Sequence, residues 1–210
     1  MIDEALFPVH LRLAGRACLV VGGGRVATRK VRTLLDCGAR VTVVAPDMSA
    51  ELAQLAGVTC ERRPYRTGDV VGYRFVVTAT GDPDVDGAVF RDGEQAGVWV
   101  NAADDPDHCS AVLPAVTRQG PIIATFSTSG RSPALASWLR RRYEHELGPE
   151  HLALLDLLAD ERDRLRREGR STEGLDWQQA LDSGMLDLVR EGNLAEAKER
   201  LEACLSSSSG

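Results

Sequence analysis

The chain has no run of about 18 consecutive apolar residues, the length that crosses a bilayer, so a membrane-inserted protein is not expected. Its start, Met1-Ile2-Asp3-Glu4, lacks a basic n-region, so a secretory leader is not expected either. Positive charge is in deficit: 25 lysines and arginines against 31 aspartates and glutamates give a formal net charge of -6. That balance argues against non-specific nucleic-acid binding as the main task, while leaving room for a local cationic pocket. The five cysteines, Cys18, Cys37, Cys60, Cys109 and Cys204, include no CxxC pair and are odd in number, which fits a reducing cytosol. Asp104-x-x-x-His108-Cys109 matches no zinc spacing, so no metal ligand is assigned. No repeat of 20–50 residues is visible. What remains is a soluble globular chain of 210 residues, 43% hydrophobic and 27% charged, long enough for one substantial core with or without a smaller appended unit.

What is present begins with an apolar strand, Ala17–Val21, running into Gly22-Gly23-Gly24 and then a helical pattern from Val26 to Leu35. Such a turn lets backbone N–H groups and a helix N-terminus approach a pyrophosphate. In Gly22-x-Gly24-x-x-Ala27, Gly22 suits the tight turn, Gly24 the close approach of phosphate, and Ala27 close helix–sheet contact. A glycine turn also serves as a plain βα corner; the flanking strand, helix and second strand Arg40–Ala45 favour the dinucleotide reading. The acidic partner that usually receives the adenosine ribose belongs at the end of that second strand, where Val43-Val44-Ala45-Pro46 stands instead and Asp47 is displaced beyond the proline. Backbone groups are therefore expected to carry the ribose, and the choice of NAD over NADP is left open by this feature.

Further along, Asp47 suits the cap of a helix through about Ala56, Val58–Arg62 and Phe75–Ala79 read as strands, Asp82 suits the cap of a helix through Ala96, and Val98–Ala102 reads as a strand. This alternation predicts a doubly wound α/β unit. After Pro114 the character changes: a strand Pro121–Phe126, a polar turn Ser127–Pro133, and a helix from Pro133 through about Glu146. From Glu150 the chain reads as wholly helical, with Leu152, Leu155, Leu158, Arg162 and Leu165 on one stripe. Shorter helices follow a Gly169–Gly174 break, around Trp177–Leu188 and Leu194–Leu205, before a frayed tail Ser206–Gly210.

The last strand of the first unit leads into Asn101-Ala102-Ala103-Asp104-Asp105-Pro106. In a doubly wound sheet the carboxyl ends of strands border the ligand crevice, so Asp104 and Asp105 are candidates for proton handling; an Asp-Pro turn opening a solvent loop is the plain alternative.

With these blocks in order, the chain resembles the precorrin-2 dehydrogenase family, the oxidase–chelatase module of siroheme synthase. The resemblance rests on Phe7-Pro8, Leu11 and Gly15; Val20-Val21-Gly22-Gly23-Gly24-x-Val26-Ala27-x-Arg29-Lys30; Ala39-x-Val41-Thr42-Val43; Ala79-Thr80-x-Asp82; Asn101-x-x-Asp104-x-Pro106; Ser110-x-x-x-Pro114; and Ser127-Thr128-Ser129-Gly130-x-Ser132-Pro133-x-Leu135-Ala136. It implies a Rossmann-type NAD-binding domain over 1–113, a central α/β dimerisation region over 114–148 and a helical C-terminal domain over 149–210. It implies NAD-dependent oxidation of precorrin-2 to sirohydrochlorin by a homodimer in the cytoplasm, and some members also insert Fe2+, there a chelation substrate and not a stored cofactor. NAD is then expected along Gly22, Gly23, Gly24, Arg25, Val26, Val43, Val44, Ala45, Thr78, Ala79 and Thr80. Asp104 matches the family's key aspartate, a general base. Asn101, Ser129, Gly130 and Arg131 are the substrate-side expectation, and Thr128 falls where some relatives carry a serine that is phosphorylated. The methyltransferase domain of larger siroheme synthases is not expected in a chain of this length. Cationic donors for a polycarboxylate substrate are sought at Arg131 and at Arg140-Arg141-Arg142, the triplet serving equally as solvated helix surface. Against the enzyme stand an NAD-binding regulatory module without catalysis and a structural interaction protein.

Overall fold

The computed structural model describes residues 5–207, so the expectations on Met1–Glu4 and on the end of the Ser206–Gly210 tail lie outside the described residues. Two compact units emerge: residues up to Pro114 together with Ser127–Pro133, and Ala115–Phe126 together with Ala134 onward.

In the first unit, β1 (Ala17–Val21), β2 (Arg40–Ala45), β3 (Val58–Arg62), β4 (Phe75–Thr78) and β5 (Trp99–Ala102) form one parallel sheet in the order β3-β2-β1-β4-β5. The order reverses between β1 and β4, which opens a crevice at their carboxyl ends. Helix α1 (Arg25–Asp36) follows β1, the short α2 (Ala50–Ala53) follows β2, and α3 (Pro83–Ala96) follows β4. Along β1 the side chains alternate between two cores. Cys18 and Val20 join Ala27, Val31 and Leu34 of α1 on one face. Leu19 and Val21 join Val44, Val76, Val100 and Val89 of α3 on the other. Cover on both faces is why the strands read as continuous apolar runs.

Two local expectations shift. Helix α2 is one turn, and its cap is Ser49, whose hydroxyl accepts from the Leu52 N–H at 3.2 Å, rather than Asp47. The Asp47 backbone lies against Gly23. Helix α3, by contrast, is as expected: Asp82 caps it, accepting from Asp84 N at 3.0 Å, and it runs to Ala96 before Gly97 in the left-handed region.

In the second unit, β6 (Ala115–Gln119) pairs antiparallel with β7 (Ile122–Phe126) across Gly120-Pro121, a hairpin of which sequence reading saw only the second strand. Helices α4 (Pro133–Glu146) and α5 (Pro149–Arg167) follow, then α6 (Trp177–Ala180), a wide π turn at Leu181–Met185, α7 (Leu186–Arg190) and α8 (Leu194–Ser207). The expected helix Trp177–Leu188 is broken because Gly184 sits at φ 88°, and Arg200 donates to the freed Ser183 carbonyl at 2.7 Å. The buried stripe of α5 also differs. It runs through Leu154, Glu161 and Leu165, while Leu155 and Arg162 line a groove. Glu161 is tolerated inside because Arg164 donates to both carboxylate oxygens, at 2.8 and 2.6 Å.

Candidate functional site

The glycine turn is built by what its residues leave out. Gly22 adopts φ 120° and donates to Val44 O at 2.9 Å; a Cβ there would lie 2.4 Å from Ala79 O. A Cβ on Gly23 would lie 1.9 Å from Asp47 O, and Ser49 N donates to Gly23 O at 2.9 Å. Gly23 therefore locks the turn to the exit of β2, a role that no local pattern announces. Gly24 differs: a Cβ there would meet nothing within 4 Å, so the space before α1 is open. Gly24 is the N-cap of α1 with no side-chain cap, which leaves the first-turn N–H groups facing that space. This is the cradle a pyrophosphate requires. Ala27 is fully buried against the sheet, and the buried Thr28 hydroxyl donates to Gly24 O at 2.9 Å.

A cleft of about 680 Å³ extends from this turn. Of the expected cofactor residues, Gly22, Gly23, Gly24, Val44, Ala45, Ala79 and Thr80 line it. Val43 does not: it points into the core packed by α1. Thr78 is buried and donates its hydroxyl to Asp86, while Arg25 and Val26 begin α1 outside the lining. Pro46, Asp47, Met48 and Ser49 line the cleft, so the wall that sequence reading left without an acid has one, exposed, at Asp47. Pro64 and Tyr65 line it too, and the available signal was their place just past the carboxyl end of β3. Tyr65 donates to Asp92 at 2.5 Å; burial first, then that hydrogen bond, raises its phenol well above the usual range. Asp86, 5% exposed, also receives Thr80 at 2.6 Å and so fixes the Thr78–Thr80 rim. Among the described residues no lysine or arginine lines the cleft, whereas Asp47 and Asp82 do.

The carboxylate loop follows β5. Ala103 N donates to Thr78 O at 2.8 Å, which ties the loop to the strand whose next residue, Ala79, lines the cleft. Asp104 comes next, exposed and at φ 65°. Its carboxylate has no hydrogen bond or ion pair among the described residues, whereas Asp105 pairs with His108 Nδ1 at 2.6 Å, a contact that holds Asp105 below the usual carboxylate range. Of the two adjacent acids, Asp104 is the one left available. Half-buried Lys30 on α1 faces the same loop. Burial first, then Arg29, lowers its ammonium below the ordinary lysine value, while the charges of Asp104 and Cys109 oppose that shift. Asn101, expected on the substrate side, is 6% exposed and spends its amide on Ala111 O at 2.9 Å and Cys109 Sγ at 3.6 Å. Its polarity is consumed by holding the loop.

In the Ser127–Pro133 turn, Ser129 has φ 51° and Gly130 φ 76°. Asp104 and Ser129 are the two non-glycine residues with positive φ among the described residues, and each lies in a loop read as functional. Thr128 Oγ1 accepts from Ser132 N at 3.0 Å, and Arg131 projects into solvent with no ion pair among the described residues. In the second unit, Arg140 pairs with Glu144 at 2.6 Å and Arg142 with Glu146 at 3.5 Å, as helix-surface charges do.

Residues 9–115, half of the chain, match the NAD_binding_7 family model, described as NAD(P)-binding. The chain is 35% identical over 200 residues to the siroheme synthase of Methylococcus capsulatus, covering 92% of this chain and 42% of that protein. It is 34% identical over 204 residues to the siroheme synthase of Azotobacter vinelandii, covering 95% and 44%. The chain thus spans less than half the length of these relatives. Among solved structures, SirC, a precorrin-2 dehydrogenase, superposes with a TM-score of 0.71 at 26% identity, covering 94% of this chain and all of that one. Taken with the glycine cradle and its cleft, these matches show that the chain belongs to the NAD(P)-binding family shared by siroheme synthases and precorrin-2 dehydrogenase.

Proposed function

We propose that the chain oxidises precorrin-2 to sirohydrochlorin with NAD, and that Asp104 is the carboxylate that accepts a proton as conjugation extends. The observation that carries this reading is an exposed Asp104, without hydrogen bond or ion pair among the described residues, one residue past the Ala103 N–H donated to Thr78 O, the carbonyl next to the cleft-lining Ala79. The first-turn N–H groups of α1 and the open face of Gly24 would hold the pyrophosphate, Val44–Asp47 the adenosine end, and Ala79-Thr80 the nicotinamide end. NAD, when bound, supplies the hydride acceptor. The protein then orients the reduced tetrapyrrole and takes the proton on an Asp104 oxygen. Ser129, Gly130 and Arg131 are the proposed contacts to substrate carboxylates, supported by the exposure of Arg131 and by its unspent guanidinium. Asn101 acts from behind, by shaping the loop.

The working assembly in this proposal is a homodimer in the cytosol, organised as 1–113, 114–148 and 149–210. It is supported by apolar side chains left exposed on α4, Leu135 at 47% and Trp138 at 49%. No described helix is long and apolar enough to cross a membrane. Sedimentation at several concentrations tests the dimer; a persistent species of 22.7 kDa would reject it.

The deciding experiment is anaerobic and has two arms. Precorrin-2 with NAD should give sirohydrochlorin at a rate that Asp104→Asn lowers while NAD affinity is kept. Sirohydrochlorin with Fe2+, supplied separately, reads iron insertion on its own. Saturable NAD binding with no precorrin-2 turnover would make the chain a regulatory module, and absence of NAD binding would reject the reading.

A further inference from the structure

The backbone of Asp104 is held at φ 65°, in the left-handed region that a non-glycine residue keeps only where neighbouring contacts overdetermine it. Two sets of contacts do so. On one side Asp105 is gripped by His108, through the 2.6 Å carboxylate–imidazole contact and the His108 N–H donated to Asp105 O at 3.3 Å. On the other, the Cys109 thiol sits among the backbone groups that bracket Asp104. It accepts from Ala102 N at 3.2 Å, and its S–H is shared between Ala102 O at 3.3 Å and Asp105 O at 3.2 Å. Asn101 seats the same sulfur at 3.6 Å.

The imidazole has a prepared seat on α3. Its ring meets Phe90 edge-on, with centroids 5.6 Å apart. It lies over Gly87, where a Cβ would come 3.2 Å from Nε2. A glycine inside a helix is destabilising relative to alanine, and here it leaves room for the His108 ring.

We infer that His108 and Cys109 are positioning residues that clamp Asp104 in its left-handed conformation, with Gly87 serving as the seat of the clamp. The inference rests on the reading of Asp104 as the proton acceptor. Releasing either arm lets Asp104 relax to negative φ and swings its carboxylate off the crevice rim, while the glycine cradle is left alone.

The test compares His108→Ala, Cys109→Ala and Gly87→Ala with wild type and with Asp104→Asn, measuring kcat for precorrin-2 oxidation, KM for NAD and thermal midpoint in the full chain. Each clamp variant should lower kcat by roughly tenfold, corresponding to about 1.4 kcal/mol, with KM for NAD unchanged. His108→Asn, which keeps an N–H donor close to the Nδ1 position, should recover most of the rate. Asp104→Asn should be slow, and adding it to His108→Ala should cost much less than the product of the single losses. Wild-type kcat in the clamp variants alongside a slow Asp104→Asn would overturn the clamp alone. A fall in kcat matched by an equal loss of NAD affinity, without recovery in His108→Asn, would overturn it as general loop damage. A fast Asp104→Asn would remove the Asp104 reading, and the clamp with it.

Discussion

The glycine turn and the carboxylate loop both follow the carboxyl ends of strands in the same sheet, β1 and β5, and are stabilised in opposite ways. The turn is held by missing atoms: Gly22 and Gly23 let the backbones at Ala79 and Asp47 approach closer than any side chain allows. The loop is held by added atoms: a thiol, an imidazole, an amide and a carboxylate, each satisfied by a named partner. One site therefore fails when something is inserted, the other when something is removed. The first tolerates no substitution at two of its positions; the second should tolerate any residue that restores the hydrogen bond.

The sharpest way to break the comparison is Gly23→Ala. Its Cβ would fall on the Asp47 carbonyl, so we expect about 2–3 kcal/mol of lost stability in denaturant titration, the upper range for overpacking, together with loss of NAD binding. Gly24→Asp separates folding from binding at the adjacent residue. With open space at its Cβ and φ -85°, it should fold normally, yet its charge would oppose the pyrophosphate and lower NAD affinity by tenfold or more, roughly 1.4 kcal/mol, in calorimetry. Normal NAD affinity in that variant would move the cofactor elsewhere.

Asp47→Asn probes the cleft wall. With Asp47 and Asp82 lining the cleft and no lysine or arginine lining it among the described residues, wild type should prefer NAD to NADP, and Asp47→Asn should narrow the ratio of the two dissociation constants by about fivefold, or ~1 kcal/mol. An unchanged ratio would return ribose recognition to the backbone. The smallest effect is an acid dependence of the loop. His108 depresses Asp105, so this contribution to stability is complete above the ordinary aspartate value of about 3.9 and is lost as pH falls through the lower native value. Hydrogen exchange at Asp105–Cys109 should accelerate in that window in wild type, and Asp105→Asn should flatten the change.

Legibility in the sequence followed the same divide. The order of strands and helices in the first unit could be read directly, because a sheet covered on both faces writes itself as apolar runs between caps and glycines. Gly22, Gly24, Ala27 and Asp104 were recognisable as a motif. What could not be read were roles set by backbone segments far apart in the chain. Gly23 matters because of Asp47, Ser49 displaces Asp47 as a cap, and Val43 turns inward through the parity of its strand. Asn101 is expected on the substrate side through the family resemblance alone; its partners at Ala111 and Cys109, which tie it to the loop, lie ten and eight residues away and leave no local pattern. Glu161 was passed over on α5 because an acid is a poor guess for a buried stripe until Arg164 is seen beside it. Strand β6 was missed because Ala115–Gln119 carries too few apolar residues to announce itself without β7.

The order in which the chain is synthesised meets the interleaving of the two units. The first unit contains Ser127–Pro133 as well as everything described up to Pro114, and the β6–β7 hairpin lies between them in sequence but belongs to the other unit. A ribosome therefore releases a complete parallel sheet and glycine cradle well before it releases the turn bearing Ser129, Gly130 and Arg131. A nascent chain halted at Pro114 should already protect its sheet amides and bind dinucleotide, while the Ser127–Pro133 turn has yet to be made. Assembly of the sheet and its crevice can thus precede completion of the unit to which they belong.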